Sequence, residues 1–534
     1  MLVLSLTACR PSEPAFDVAS GREDSPNVGV VPRAPRPDHG GAPDDPRARL
    51  YAELRDKTER REAFSPPKEE RLGLHVLAEM DAASSDLLAA ESDVDLYYAL
   101  VKLSAARRDR HLRVVPARGG LEVPGFGAEL EAPLRFAVDY GTEGAYGMFV
   151  TDLDASRFDR SERVPEPGDH VVAVNGRPLA DHVADLAAYH SWSTVENLWW
   201  NVADDLHERN TAIPPDRFSD EVTFALRTAE GAGYEVTVPY LEEEDIDWSG
   251  GDEPAYPDMG LVASTETYDL YSHTAGREVL LLQWHGFGST LEDDIDRLVA
   301  YAEEEGLLRH ALIVDATGSR GGSHGAYALR RLTGRPFTCT FGNLRLSDIT
   351  PAFIEEVREG ASGGEVSDAD ARLLEWLEGP VTDALLAGEP YSENVPFKLV
   401  DLPAGSDGMV EPAAVHFDGP LVALFGPGGG SHLDQFAAMI VDNDLGHTIG
   451  MSTGGYSNTW EWTETVTMPG TERPLVDFMW SIGQTIRPNG AVLEGNPAAV
   501  DEHVPRTAEN WATYHADLLE RAYAYLDRLA EPSG

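Results

Sequence analysis

The sequence contains very little lysine and little positive charge of any kind. Four of the 534 residues are lysine, at positions 57, 68, 102 and 398, and 42 basic side chains stand against 92 acidic ones, for a formal net charge of −50. A negative field of this size repels nucleic acid and anionic lipid headgroups. We therefore expect no nucleic-acid partner, and we interpret the acidic residues as a heavily solvated surface.

Cysteines and long apolar runs are scarce as well. Cys9 and Cys339 are the two cysteines, and they are too far apart for a disulfide framework or a metal site. We expect neither a metal nor a cofactor. No stretch approaches the roughly 18 continuous apolar residues of a transmembrane helix. A hydrophobic content of 42% is still enough for packed cores, and this chain length predicts two or three domains.

The N-terminus carries an apolar run that ends at Cys9. Leu6-Thr7-Ala8-Cys9 resembles a bacterial lipobox, in which the cysteine is lipidated after signal cleavage. The run reaches only the minimum apolar core of a signal peptide and lacks the usual basic stretch, so a start codon placed too late or a chance match is the alternative. The resemblance implies a lipoprotein signal remnant at 1–9, lipidation of Cys9, and a lipid-anchored protein on the periplasmic or extracellular side of the envelope.

The composition changes along the rest of the chain in a way that predicts domains. Residues 10–47 are rich in Pro, Gly and Asp without an apolar period, which indicates a disordered tether. Residues 48–118 have helical spacing, and residues 119–243 have the short strands and turns of a mainly β unit. In residues 255–505, strands run into glycine loops and then helices, which predicts an α/β core. Residues 338–400 are predicted to be an insertion with its own helices, and 506–534 a C-terminal helix.

Ser431 is the candidate nucleophile. It follows three glycines and begins a predicted helix. Glycines let a substrate approach the backbone closely, and a helix N-terminus stabilises a developing negative charge. However, Ser431-His432-Leu433-Asp434 is also a capping-box pattern, and helix caps are commonly serine. The local pattern alone favours a cap.

Two further elements suit the same chemistry. Gly321-Gly322 follows the buried strand that ends at Asp315, and its N–H groups suit an oxyanion hole, although a plain turn explains them as well. His111 ends a basic stretch, and histidine is the usual base that activates a serine. The sequence has 16 histidines, so position alone does not single out His111.

Four segments, taken in order, resemble the tail-specific (C-terminal-processing) serine peptidases. Residues 165–176 resemble the PDZ motif of that family, Asp315–Gly322 its glycine loop, Gly430–Thr453 its nucleophile segment, and Leu493–Asp501 its closing element. The resemblance covers roughly residues 70–530. It implies a crotonase- or ClpP-like α/β core, a PDZ-like domain at 119–243, and hydrolysis of peptide or protein substrates that the PDZ-like domain binds at their C-termini by strand addition.

The resemblance also implies the site residues, because one branch of the family uses no lysine base and this chain has no lysine at the corresponding position. Common members use a lysine base, but the corresponding position here is Tyr456 and no lysine follows Lys398. The tricorn-like branch uses a histidine that precedes the PDZ segment, in a D-x-H element that Asp109-Arg110-His111 resembles. A serine endopeptidase of this branch is implied, with Ser431 as nucleophile and His111 as base.

The remaining roles follow from the same resemblance. Glu494 suits the acidic residue that orients and electrostatically supports His111, either directly or through another hydroxyl, with Asp501 and Glu502 as neighbouring alternatives. The backbone N–H groups of Gly322 and His432 suit the oxyanion hole.

Two other functions compete with this prediction. The missing lysine also fits a catalytically inactive peptidase homologue that binds peptides in the envelope. So does the glycine loop, which carries Thr317 and Ser319 and lacks the arginine and asparagine usual in the family. An α/β-hydrolase esterase needs a G-x-S-x-G elbow, and Gly429-Gly430-Ser431-His432-Leu433 lacks the last glycine.

Overall fold

A computed structural model describes residues 45–123, 130–158, 163–248, 256–362, 368–396 and 407–530. All of them belong to one compact unit, Pro43–Gly534. The predicted signal remnant with Cys9, and the predicted tether except its last three residues, lie outside the described residues. Within the described ranges, no helix is both long and apolar enough to cross a membrane.

Helices open the described chain. They are α1 (Pro46–Arg61), α2 (Ser65–Leu72), α3 (Val76–Ala89) and α4 (Asp93–Ala105). Helix α4 begins at a full capping box, in which the Ser92 hydroxyl and the Asp95 carboxylate each accept from the other residue's backbone N–H. Helix α1 begins at Pro46, inside the segment that the sequence predicts to be a tether.

The next part of the chain is mainly β. Its strands are β1 (Val114–Pro116), β2 (Leu130–Glu131), β3 (Leu134–Asp139), β4 (Gly147–Leu153), β5 (His170–Val174), β6 (Arg177–Pro178), β7 (Glu208–Arg209), β8 (Glu221–Arg227), β9 (Gly233–Pro239) and β10 (Leu241–Glu242). Its helices are α5 (Leu179–Leu186) and α6 (Val195–Asp205). Short 3₁₀ helices lie at Ala155–Arg157, Pro215–Arg217 and Glu243–Asp245.

Most of these strands form one antiparallel sheet in the order β3-β4-β5-β8-β9, with β6 paired to β5. The turn between β5 and β6 is Asn175-Gly176, both with positive φ (+49° and +74°), as a two-residue hairpin turn requires. Buried side chains of α5 and α6 share a core with the sheet. Strands β10, β2 and β7 form a separate small sheet.

The remaining elements alternate strand and helix. The strands are β11 (Met259–Ser264), β12 (Tyr268–His273), β13 (Val279–Trp284), β14 (Ala311–Asp315), β15 (Phe337–Thr338), β16 (Phe341–Leu344), β17 (Val395–Pro396), β18 (Met409–Val410), β19 (Leu421–Phe425), β20 (His447–Gly450), β21 (Glu461–Met468), β22 (Arg473–Ser481), β23 (Gly483–Ile486) and β24 (Glu502–His503). The helices are α7 (Leu291–Glu304), α8 (Gly325–Leu332), α9 (Thr350–Ser362), α10 (Asp368–Trp376), α11 (Thr382–Ala387), α12 (His432–Asp442) and α13 (Tyr514–Ala530), with a π-helical turn at Leu377–Val381.

A seven-stranded sheet organises this region, in the order β11-β12-β13-β14-β19-β20-β24. The first two pairings are antiparallel and the other four are parallel. Helices α7, α8 and α12 pack on one face and α13 on the other, which explains why every residue of β14 and β19 is buried. The mixed α/β architecture that the sequence predicts is therefore confirmed.

The parallel pairing of β14 with β19 positions the candidate site. Asp315 at the end of β14 is paired with Leu424 of β19. The loops that follow these two strands therefore leave the same edge of the sheet, which is where ligands bind in α/β folds. One loop leads to Gly321-Gly322 and the other to Ser431.

A second core joins parts of the chain that are distant in sequence. Strand β1 pairs with β22, which pairs with β21. Buried side chains from α1, α3, α4, the hairpin β21–β22 and the helices near Trp376 form one cluster. The segment predicted to be an N-terminal helical domain, 48–118, thus shares its core with part of the segment 255–505.

Two further elements differ from the sequence prediction. Helix α13 begins at Tyr514 rather than 506, because Thr507 and Asn510 bond to each other's backbone N–H groups at 2.8 and 3.3 Å and form a turn in place of a helix. The predicted insertion 338–400 also supplies strand β16, which pairs with β23 as well as β17.

The shared core predicts that the N-terminal helices and the hairpin are stabilised together. Trp480 is fully buried there, and its Nε1 donates to the Thr58 hydroxyl at 3.3 Å. We expect Trp480→Ala to lower the free energy of unfolding by about 3–5 kcal/mol through the cavity that it leaves, measured by urea denaturation. Leu386→Ala is the control, because Leu386 is 66% exposed. An equal effect of the two changes would contradict the shared core.

Candidate active site

The backbone of Ser431 is held in an unusual conformation between β19 and α12. Its φ is +60° and its ψ −120°, a region that residues other than glycine adopt only under constraint. Its N–H donates to the carbonyl oxygen of Tyr456 at 2.6 Å. The Ser431 side chain makes no capping hydrogen bond to α12. The interpretation of Ser431 as an ordinary helix cap is therefore wrong, since a capping serine has an extended backbone and bonds the first turn.

The three glycines before Ser431 are required by close packing. A Cβ on Gly428 would lie 2.3 Å from the Trp200 ring, one on Gly429 2.2 Å from the Ser319 carbonyl oxygen, and one on Gly430 2.3 Å from the Tyr456 ring. Each distance is far below van der Waals contact. The loop therefore fits only without side chains at these positions.

His111 is the hydrogen-bond partner of the candidate nucleophile. Its Nε2 lies 3.2 Å from the Ser431 Oγ. The imidazole is 19% exposed, and its ring contacts the Tyr456 ring edge-on, with centroids 5.4 Å apart. The structure thus brings Ser431 and His111 together and places Tyr456 beside them, at the position where the resemblance expects a lysine.

Asp434, in the first turn of α12, fixes the loop that contacts Ser431. Its carboxylate accepts from the Thr453 hydroxyl and from the backbone N–H groups of Gly455 and Tyr456, the last two at 2.9 Å. Burial raises the pKa of Asp434 to about 7. The carboxylate therefore holds the segment whose carbonyl binds Ser431.

The predicted oxyanion loop packs directly against Ser431. A Cβ on Gly321 would lie 2.6 Å from the Ser431 Cβ and 3.2 Å from the backbone nitrogen of His432. Gly322 pairs with Phe287 in a parallel bridge, through Phe287 N to Gly321 O at 3.4 Å and Ser323 N to Phe287 O at 2.9 Å. In such a bridge the N–H of the central residue points away from its partner. The two predicted donors, Gly322 and His432, thus belong to segments in contact at Ser431.

The imidazole of His432, at the start of α12, links that helix to α8. Its Nε2 accepts from the backbone N–H of Gly325, at the start of α8, at 2.6 Å, and the ring contacts Phe287 edge-on. The side chain of His432 is thus engaged in holding α12 against α8.

The Asp109 carboxylate lies near the Nδ1 edge of the His111 ring, on the side away from Ser431. Its Oδ1 accepts the backbone N–H of His111 at 3.0 Å and lies 3.9 Å from the His111 Nδ1. Its Oδ2 accepts from the Ser481 hydroxyl at 2.6 Å. Asp109 thus fixes the loop that carries His111.

Glu494 lies deeper, behind the loop that carries His111. It is fully buried, and its Oε2 accepts from the backbone N–H of Ser457 at 3.0 Å. The neighbouring Ser193 lowers the pKa of Glu494, and the Ser193 Oγ accepts the N–H of Arg110 at 3.1 Å. Burial, followed by the charge of Asp109, raises the pKa of Glu494 to about 8.

The two alternatives for the acidic role lie elsewhere. Asp501 accepts from the backbone and hydroxyl of Thr448 at 2.8 and 2.9 Å, and Glu502 pairs with Arg521. Both belong to the β20–β24 edge of the large sheet, whereas Glu494 lies next to the loop before His111.

Sequence reasoning missed Lys68 and Ser193. Lys68 is 2% exposed, and its Nζ lies 3.1 Å from the Glu494 Oε1. The one available signal was the scarcity of lysine, because nothing in the local pattern around Lys68 or Ser193 indicates a buried partner far along the chain.

The strain at Ser431 predicts an order of stability between two variants. Glycine adopts the observed φ and ψ without penalty, so we expect Ser431→Gly to unfold at higher urea than Ser431→Ala, with a difference of about 1 kcal/mol. Ser85, exposed within α3, is the control and should give the opposite order, because alanine is the better helix former. The same order at both positions would contradict the strain.

No protein-family model matches the sequence, and no curated protein sequence is similar to it. Solved structures are similar: mature CPAF has a TM-score of 0.65 at 16% identity, with 91% of this chain and 98% of that chain covered. Mature CPAF complexed with lactacystin gives 0.65 and 16%, with 90% and 99% covered. The photosystem II D1 C-terminal processing protease gives 0.39 at 13%, with 85% and 92% covered. The chain therefore has the fold of mature CPAF over nearly its whole described length.

Proposed function

We propose that this chain is a serine endopeptidase of the C-terminal-processing family, in its tricorn-like branch, with Ser431 as nucleophile and His111 as base. The observation that carries the proposal is the 3.2 Å separation of the Ser431 Oγ and the His111 Nε2. That distance is within the reach of a nucleophile and its general base. The ordered motifs of the sequence and the shared fold of mature CPAF add to it.

The first step is attack on the substrate carbonyl. The His111 Nε2 accepts the proton of the Ser431 hydroxyl as Oγ forms a bond to the carbonyl carbon. The carbonyl oxygen becomes an oxyanion, which the N–H groups of Gly322 and His432 bind. By analogy with measured oxyanion donors, each is worth about 3 kcal/mol of barrier.

The second step releases the amine product and then the acid. The His111 imidazolium gives its proton to the leaving nitrogen, and the C–N bond breaks to leave an acyl ester on Ser431. Water then attacks the ester while His111 takes the water proton. The proton returns to Oγ as the acid leaves, which restores both residues.

The carboxylates behind His111 stabilise its charged form. The Nδ1 side of the ring faces Asp109 at 3.9 Å. Glu494 lies behind the same loop, and with a pKa of about 8 it adds its negative charge as the pH rises towards that value. A nearby negative charge stabilises an imidazolium as it forms during the reaction. Glu494 is in this proposal the acidic support, with Asp109 as the nearer carboxylate.

Substrates in this proposal are peptides or unfolded proteins. The antiparallel sheet of β3, β4, β5, β8 and β9 is the PDZ-like domain that binds their C-termini. It adjoins the nucleophile, because Trp200 of α6 contacts Gly428, and the Asn197 Nδ2 donates to the Pro427 carbonyl at 3.2 Å. A crotonase- or ClpP-like relationship of the large sheet, and lipid anchoring through Cys9 at the cell envelope, belong to the same proposal.

Variants of the two central residues test the function. We expect the wild-type protein to cleave an unstructured casein substrate and to react with a fluorophosphonate probe at Ser431. Ser431→Ala and His111→Ala should each lower the cleavage rate by about 10³-fold or more, with the double variant no slower, because the two residues act as one unit.

His310→Ala is the matched control, since His310 directly precedes β14 at the opposite end of the large sheet. It should cleave at the wild-type rate. Normal hydrolysis by His111→Ala would sink the assignment of the base. A wild-type protein that neither cleaves casein nor reacts with the probe would favour the alternative function, an inactive homologue that binds peptides.

A further inference from the structure

A cluster of buried charged side chains lies behind the loop that carries His111. Its members are each at most 2% exposed, and they are Glu62, Lys68, Arg107, Asp109 and Glu494. Charged side chains are almost never fully buried unless they are paired. Arg107 and Glu62 form one pair, with Nη1 to Oε2 at 3.1 Å, and Arg107 also donates to the Met479 carbonyl at 2.7 Å. We refer to these five residues as the buried charge cluster.

Lys68 is the member that joins the two parts of the site. Its Nζ lies 3.1 Å from the carbonyl oxygen of Arg107, 2.5 Å from that of Arg108, and 3.1 Å from the Glu494 Oε1. A lysine ammonium has three N–H donors. Two of them bond to the carbonyl oxygens of Arg107 and Arg108, and the contact with Glu494 is an ion pair. Lys68 therefore connects the loop that leads into His111 with a carboxylate from the far end of the chain.

The neighbours of Lys68 leave it no role as the base itself. A charged ammonium has no lone pair to accept a proton, and the Ser431 Oγ bonds to His111 instead. The lysine that this chain lacks near Tyr456 is thus not replaced in function by Lys68. A separate role is needed to explain why one of four lysines is buried here.

We propose that Lys68 is a positioning residue for the Ser431–His111 pair, which holds the Glu494 carboxylate against the loop that carries His111. The inference rests on the proposed function and deepens it, because Lys68 acts on the reaction through Glu494. The contacts that carry the inference are the two hydrogen bonds of the Lys68 Nζ, its ion pair with Glu494, and the burial of both side chains.

The charge of the cluster explains why this position matters. When all are ionised, three carboxylates stand against two cations, a formal charge of −1. This charge is balanced when His111 takes the Ser431 proton. Without Lys68, the formal charge of the buried charge cluster becomes −2. One of its carboxylates then binds a proton, because burial disfavours the excess negative charge. The support for the imidazolium is then lost.

The direction of the pH effect follows from the groups that face Glu494. These include Lys68 and Arg71 from α2 and Asp109 from the loop after α4. Burial and Asp109 raise the pKa of Glu494 to about 8, while Lys68 lowers it. Removal of Lys68 therefore raises that pKa further. The carboxylate then ionises only at higher pH, so the rise of activity with pH moves in the same direction.

Lys68→Met, which keeps the length of the side chain, tests the inference. We expect kcat for casein cleavage at pH 7 to fall about tenfold or more, with KM within twofold, because substrate binding does not involve Lys68. The acid limb of the kcat/KM profile should move up by about one to three pH units. Lys102→Met is the matched control, since Lys102 pairs with Asp86 on the partly exposed side of α4, and its profile should equal that of the wild type.

The Glu494→Gln background shows whether Lys68 acts through Glu494. In that background, we expect Lys68→Met to change kcat by less than about threefold, since coupled residues are non-additive. The double variant keeps the formal charge of the cluster at the wild-type value of −1, because one cation and one carboxylate are removed together, so the comparison stands even where Lys68→Met alone does not fold.

The outcomes separate the inference from the proposed function. A wild-type protein that is inactive towards both casein and the fluorophosphonate probe overturns the proposed function, and the inference with it. An active wild type with an unmoved acid limb in Lys68→Met overturns the inference alone. So does a full Lys68→Met effect that persists in the Glu494→Gln background.

Discussion

The backbone from Gly428 to Ser431 is packed so closely that no side chain fits on its glycines, and the arrangement of the site depends on this constraint. The atoms that exclude a Cβ come from three different parts of the chain: the Trp200 ring, the Ser319 carbonyl and the Tyr456 ring. Each contact fixes one segment relative to Ser431. The mainly β region, the loop after β14 and the loop after β20 therefore converge on one short stretch of backbone.

His111, the proposed base, comes from the N-terminal side of the chain. His111 follows α4, and the helices before it share a core with the hairpin β21–β22. The hairpin reinforces the same loop chemically, since Ser481 donates to Asp109 and the Met479 carbonyl accepts from Arg107. Apolar packing and buried polar contacts thus act on one loop, and the loop presents a single nitrogen to Ser431.

Parts of this structure follow from local sequence, and others do not. Strand β19 is a short, uniformly apolar run and β13 is apolar except for Gln283, so composition locates both strands. Ser431 is located by the three glycines that it directly follows at a helix start. The order of motifs then singles out His111 among the histidines. The pairing of Lys68 with Glu494 has no such signal, because it depends on how distant segments fold together.

Local patterns also mislead where side chains compete for the backbone. The capping pattern at Ser431 is real in sequence, yet Asp434 turns to the loop 453–456 and the serine hydroxyl turns to His111. At Thr507 the reverse happens, and a short side-chain turn delays a helix that the apolar spacing predicts. Both outcomes are decided by hydrogen bonds that periodicity does not describe.

The separation of His111 and Ser431 along the chain has a consequence for the life of such an enzyme in the proposed role. A copy that is still emerging during synthesis, or that has lost its N-terminal helices to damage, has a serine without its base. In the proposed role, only a molecule in which the N-terminal helices have packed against the rest of the chain can hydrolyse a substrate. Complete folding would thereby be a condition for activity, and no separate inhibitor would be needed to keep incomplete molecules inactive.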